Sequence, residues 1–150
     1  MARYNKKKNM TLMIVAAYAP DSHHKSATKQ LYLDNLNRCV KSCGKKEILI
    51  IGADCNASVG IRSSSKDKVR GPYGDKHVNT AANLLNDYMA MAKLCFPTTF
   101  FKNPRQINHA TWTHMATHRG FQIDHFMMKR TDLRRVLNAG KLKAMVNSDH

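Results

Sequence analysis

The sequence predicts a mixed fold of α/β or α+β type, and three observations point there. Thr11 to Ala19 and Glu47 to Ile51 are short, continuous apolar runs, as expected of strands covered on both faces. Between them, Tyr32, Leu36, Cys39, Val40 and Cys43 recur at helical spacing. Strand, helix and strand in that order make a βαβ-type unit.

The elements follow in chain order. Residues 1–10 are polar and basic and read as an N-terminal arm; residues 11–150 read as one domain with no internal boundary. Lys6-Lys7-Lys8, the apolar run from Met10 and Ala17-Tyr18-Ala19 together resemble a signal peptide, but the run is short and Pro20 would follow the cut. The helix over 25–43 stops at Gly44, and the second strand stops at Gly52. Residues 57–79 carry Ser63-Ser64-Ser65, Gly71-Pro72 and Gly74 and read as loop. Leu84, Leu85, Tyr88 and Met91 predict a helix over 80–94 with Thr80 as its N-cap. Three short strand candidates come last: Ala110 to His114, Phe121 to Met128, and Leu142 to Val146.

Composition narrows the partners. Lys and Arg number 25 against 10 Asp and Glu, a formal charge of +15, which points to polyanions. Apolar residues at 43% argue against a disordered chain, and no apolar run is long enough to span a bilayer. The four cysteines, Cys39, Cys43, Cys55 and Cys95, form no C-x-x-C pair and read as thiols in a reducing compartment. His109, His114 and His118 have no nearby Cys or acidic residue to complete a zinc site.

Four places carry possible chemistry. Asp54 and Asn56 follow an apolar strand at a spacing of two, which in extended geometry projects both the same way. The carboxyl end of a buried strand is where ligands bind in α/β sheets, although Asp and Asn are also ordinary turn formers. Asp124 lies within the apolar stretch Phe121 to Met128; facing inward it needs a partner, and on an edge strand it would sit in water. Asp149-His150 ends the chain and reads either as a solvated tail or as part of a site. Tyr18 ends the first strand, where core and site roles are both open.

In this order the motifs resemble the endonuclease/exonuclease/phosphatase superfamily. The likeness is greatest to the apurinic-type endonuclease domains of LINE retrotransposons and to craniofacial development protein 2-like sequences. Tyr18-Ala19-Pro20 matches the family's Tyr-x-Pro, and Gly52-Ala53-Asp54-Cys55-Asn56-Ala57 its Asp-x-Asn-Ala. Gly71 to Gly74 and Asn79 to Leu85 match a Gly-rich loop and Asn-rich helix, and Pro97 to Phe101 an apolar-aromatic strand. Ala110-Thr111-Trp112, Gln122-Ile123-Asp124-His125 and Ser148-Asp149-His150 complete the series. The likeness spans residues 11–150 and the family's C-terminal two-thirds; the family's earlier Asn and metal-binding Glu have no counterpart here.

The resemblance implies a partial two-sheet β-sandwich flanked by helices, of DNase I-like type, and Mg²⁺-dependent (or Mn²⁺-dependent) hydrolysis of DNA phosphodiesters. His150 would be the general base and Asp124 would orient it. Asp54 would manage a proton, Asn56 would hold a phosphate oxygen or the water, and Tyr18 would donate to the phosphate. Asp149 would lie near the metal. Lys66, Lys68, Arg70, Lys129, Arg130 and Trp112 would contact nucleic acid, and the setting would be intracellular, in the nucleus. Two alternatives stand beside this: an inactive remnant that binds nucleic acid by charge, and a phosphatase of the same superfamily. A small-substrate phosphatase gains little from +15.

Overall fold

The computed structural model describes residues 11–102, 109–141 and 150. Its main sheet contains β1 (Thr11–Tyr18), β2 (Glu47–Asp54), β3 (Leu94–Cys95) and β6 (Asp124–Lys129), in the order β1-β2-β6-β3. A second sheet pairs β4 (Trp112–Thr113) with β5 (Gly120–Phe121). Helix α1 (Ser26–Ser42) joins β1 to β2, and α2 (Thr80–Met91) precedes β3. The fold is therefore mixed α/β, and β1-α1-β2 is the expected parallel unit. β6 runs antiparallel to both of its neighbours, β2 and β3.

The helices cover one face of the sheet; on the other, β1 is exposed, the alternate residues of β2 are half-buried, and Met128 of β6 and Cys95 of β3 are buried. On the covered face, Leu49, Ile51 and Ala53 of β2 and Met127 of β6 pack against Leu33 and Leu36 of α1 and Leu85, Tyr88 and Met89 of α2. Met13, Val15 and Ala17 of β1 join this cluster. The alternate residues of β1 point the other way: Ile14 is 73% and Tyr18 72% exposed. Phe126 of β6 shares that side. The expectation that the first strand is covered on both faces is thus corrected. A continuous apolar run shows that a strand can be buried, not that a second layer packs on it.

Other boundaries moved for local reasons. β2 continues through Gly52 to Asp54, because Gly52 lies opposite Phe126 and a Cβ there would only graze that ring. α2 is capped by Asn79 and not by Thr80: the Asn79 side chain accepts from the Ala82 amide at 3.0 Å. Pro97 starts a single 3₁₀ turn, Pro97–Thr99, where a strand was expected. The 57–79 loop is held by Asp67, whose carboxylate accepts from the Val69 and Arg70 amides. The candidate strand Leu142 to Val146 and the arm 1–10 lie outside the described residues. All four cysteines are free thiols, three of them buried. No described helix is long and apolar enough to cross a membrane.

Candidate active site: a carboxylate row and an imidazole

Register builds the site. Tyr18 pairs with Asp54 across β1 and β2, and Asp54 pairs with Asp124 across β2 and β6. Directly opposed residues share a face, so the three form a row on the face turned away from the helices, at one end of the sheet. The row is pinned by the backbone: the Ala19 amide donates to the Asp54 carbonyl and the Cys55 amide to the Ile123 carbonyl, both at 2.8 Å.

His150 completes the cluster. Its Nδ1 lies 3.0 Å from Asp124 Oδ2, with both side chains partly exposed. One ligand atom from each of Asp54, Asp124 and His150 falls within 4.8 Å of the others, a grouping able to hold a metal ion. Two carboxylates this close repel unless a cation sits between them. Asp124 is therefore neither buried alone nor on an edge strand.

Asn56 reaches the site by a different route from the one its spacing suggested. Extended alternation stops at Asp54, and Asn56 has φ 45°, a left-handed conformation that Asn tolerates. Asp54 Oδ1 accepts from the Asn56 amide at 2.9 Å, forming a side-chain turn. Asn56 Nδ2 donates to the Ala19 carbonyl at 2.8 Å, which ties the turn to the end of β1. The turn-former and site readings of Asp54 and Asn56 thus describe one structure.

Thr111, which the sequence offers only as a member of the Ala110-Thr111-Trp112 motif with no role of its own, supports the site. Its Oγ1 accepts from the Asp124 amide at 2.9 Å and from the Ile123 amide at 3.1 Å, fixing the start of β6. The only prior signal was its place before Trp112. Trp112 itself pairs with Phe121 in the β4–β5 hairpin, with ring centroids 5.8 Å apart, and is partly buried.

Beneath the row, His125 is buried, with its ring tilted against Phe96. Its Nε2 faces two carbonyl oxygens, Gln122 at 3.0 Å and Ala57 at 3.3 Å, so that nitrogen carries the hydrogen. Nδ1 has no partner among the described residues. Burial holds the imidazole pKa down to about 4 despite the two carbonyls. Burial also raises the thiol pKa of Cys55, with the Asp54 charge adding to it, so Cys55 is an inert apolar neighbour.

The expected nucleic-acid contacts separate into groups. Lys66 and Lys68 are exposed on the loop that leaves the site end of β2. Arg70 is committed elsewhere: it bonds Asp67 at 2.7 Å and the Val59 carbonyl at 2.9 Å, holding that loop in shape. Lys129 and Arg130 lie at the far end of β6 from Asp124. Five strand steps at about 3.4 Å put Lys129 roughly 17 Å from the row. Asp149 lies outside the described residues. Comparison with known proteins yields no matching family model and no matching curated protein.

Proposed function

We propose that the chain is a metal-dependent phosphodiester hydrolase of endonuclease type, with the DNase I-like fold and the DNA substrate that its motif order implies. The observation that carries this reading is the meeting of Asp54, Asp124 and His150, which are 26 to 96 positions apart in sequence, at one end of the sheet. Asp124 sets the His150 ring through Nδ1, and the imidazole so oriented would take a proton from water. The water oxygen bonds to phosphorus, the P–O ester bond breaks, and the leaving oxygen is protonated from solvent. Asn56 has a second amide hydrogen to offer a phosphate oxygen, and the exposed Tyr18 phenol can offer another. Asp54 and Asp124, joined by Asp149, would hold the divalent ion, which would offset phosphate charge. Mg²⁺ and Mn²⁺ both suit this oxygen-rich set.

The test is nicking of supercoiled plasmid at low salt with Mg²⁺ or Mn²⁺, against excess EDTA and the Asp54→Ala and His150→Ala variants. Cutting by the wild type alone supports the reading. Equal behaviour of wild type and variants refutes it. If the protein then still retards DNA in a gel, the second reading holds: a basic nucleic-acid-binding chain without catalysis, which the +15 charge favours.

A further inference from the structure

We propose that the end of the sheet opposite the carboxylate row is a second polyanion surface that holds a nucleic-acid backbone. β1 and β2 run toward the row and β6 runs away from it, so Thr11, Glu47 and Lys129 mark the other end. Glu47 to Asp54 is seven strand steps, or about 23 Å at roughly 3.3 Å each. That separation equals about seven nucleotides at 3.4 Å per step, so the two ends touch different stretches of a bound strand.

The cations of this end come from separate parts of the sequence. Lys45 and Lys46 lead into β2, Lys93 leads into β3, Lys129 ends β6, and Arg130 follows it. Hydrogen bonding makes them neighbours: Leu94 pairs with Lys129, the Arg130 amide donates to the Lys93 carbonyl at 3.0 Å, and the Thr11 amide to the Lys46 carbonyl at 3.3 Å. Adjacent strands stand about 4.8 Å apart, so the rim carries cations at intervals of the same order as the phosphates of one strand.

The charge of this rim is largely uncompensated. Lys45, Lys46 and Lys93 are exposed. Lys129 Nζ donates to the Cys43 carbonyl at 3.3 Å and lies 3.2 Å from its thiol sulfur, both neutral groups. Among the described residues no lysine forms an ion pair with a carboxylate. Of the acids described at this end, Asp132 pairs with Arg135 at 3.1 Å, while Glu47 accepts from the Gly44 amide at 2.8 Å and keeps its charge, one carboxylate against five cations. The rim is carried by strand ends and tight turns and not by an amphipathic helix, the element that lies in a bilayer surface, so a nucleic-acid backbone is the fitting polyanion.

Lysine footprinting tests the proposal: the full chain is acetylated with and without a duplex of about 20 base pairs, long enough to span both ends, and each lysine is quantified by mass spectrometry. Lys45, Lys46 and Lys93 should react roughly tenfold more slowly with duplex present. The variant Lys45→Gln/Lys46→Gln/Lys93→Gln should flatten the salt dependence of binding by about 2 to 3 in log–log slope, while the corresponding Lys→Arg variant keeps the slope. Unchanged acetylation of these three lysines, an unchanged slope, or protection by phosphatidylserine vesicles but not by duplex each overturn it. Plasmid nicking is a separate readout: a chain that never cuts still shows this footprint, and one that cuts can leave these lysines unprotected.

Discussion

Between about pH 6.5 and 4, acid should weaken this protein through His125. In the fold His125 is held neutral, with its pKa near 4, whereas an unfolded histidine titrates near 6.5. Between those values the unfolded chain binds more protons than the native one, so stability falls as pH falls. Above about 6.5 the contribution is fully present, and below about 4 the loss is complete. The slope approaches about 1.4 kcal/mol per pH unit, for a total of roughly 3 kcal/mol. The structural reason is specific: Nε2–H already donates to the Gln122 and Ala57 carbonyls, and a proton added at Nδ1 finds no acceptor among the described residues. Urea unfolding at several pH values from 7.5 to 4 measures this. His125→Gln keeps a donor near those carbonyls but does not titrate, so its stability should be flatter with pH across that window. A wild-type slope that the variant reproduces would refute the reasoning.

Four further outcomes are expected. Thr111→Val strands the Ile123 and Asp124 amides and should destabilise by about 1 to 3 kcal/mol, while Thr111→Ser stays near wild type; urea midpoints separate the two. Gly71→Ala should unfold the chain or lower its melting temperature sharply, because a methyl there overlaps the Thr99 backbone and disturbs the Gly71 amide bond to Thr99 Oγ1. Ile14→Thr on the open face of β1 should change stability by less than about 0.5 kcal/mol, whereas Ile51→Ala in the core should lose about 2 to 5 kcal/mol, both by denaturant titration. Asp124→Asn should leave the melting temperature close to wild type but slow plasmid nicking by about 10² to 10⁴-fold, since the amide no longer stabilises a charged His150.

The sequence made the site's members legible and left their arrangement hidden, and each case has a physical reason. Asp54 stands out as a carboxylate just beyond an apolar strand and Asp124 as one within an apolar stretch, while Tyr18 at the end of the first strand leaves core and site roles open. Their alignment in one row depends on strand register, which no local pattern encodes when β6 arrives from 70 residues beyond β2. Asn56 was chosen for a spacing that presumes extended backbone. It is at the site because a left-handed turn lets its amide grip Ala19. The role of Thr111 stayed hidden because it is to accept two backbone amides, and that role leaves no compositional mark.

The open face of β1 shows the same limit from the other side. Thr11 to Tyr18 reads as doubly covered because periodicity cannot tell a strand with two apolar faces from one with two buried faces. In the fold Met13, Val15 and Ala17 pack against the core cluster, while Ile14 and Tyr18 stay exposed. The consequence is functional as well as structural. The carboxylate row stands on the face turned away from the helices of the core cluster, with Asp54 and Asp124 set opposite each other by the β2–β6 pairing. An extended polyanion lying along this face would meet the row at one end and the lysine rim at the other. Under the proposed function the +15 charge matters less as a total than through its placement: the exposed cations at the far end would hold a strand apart from the carboxylates proposed to act on it.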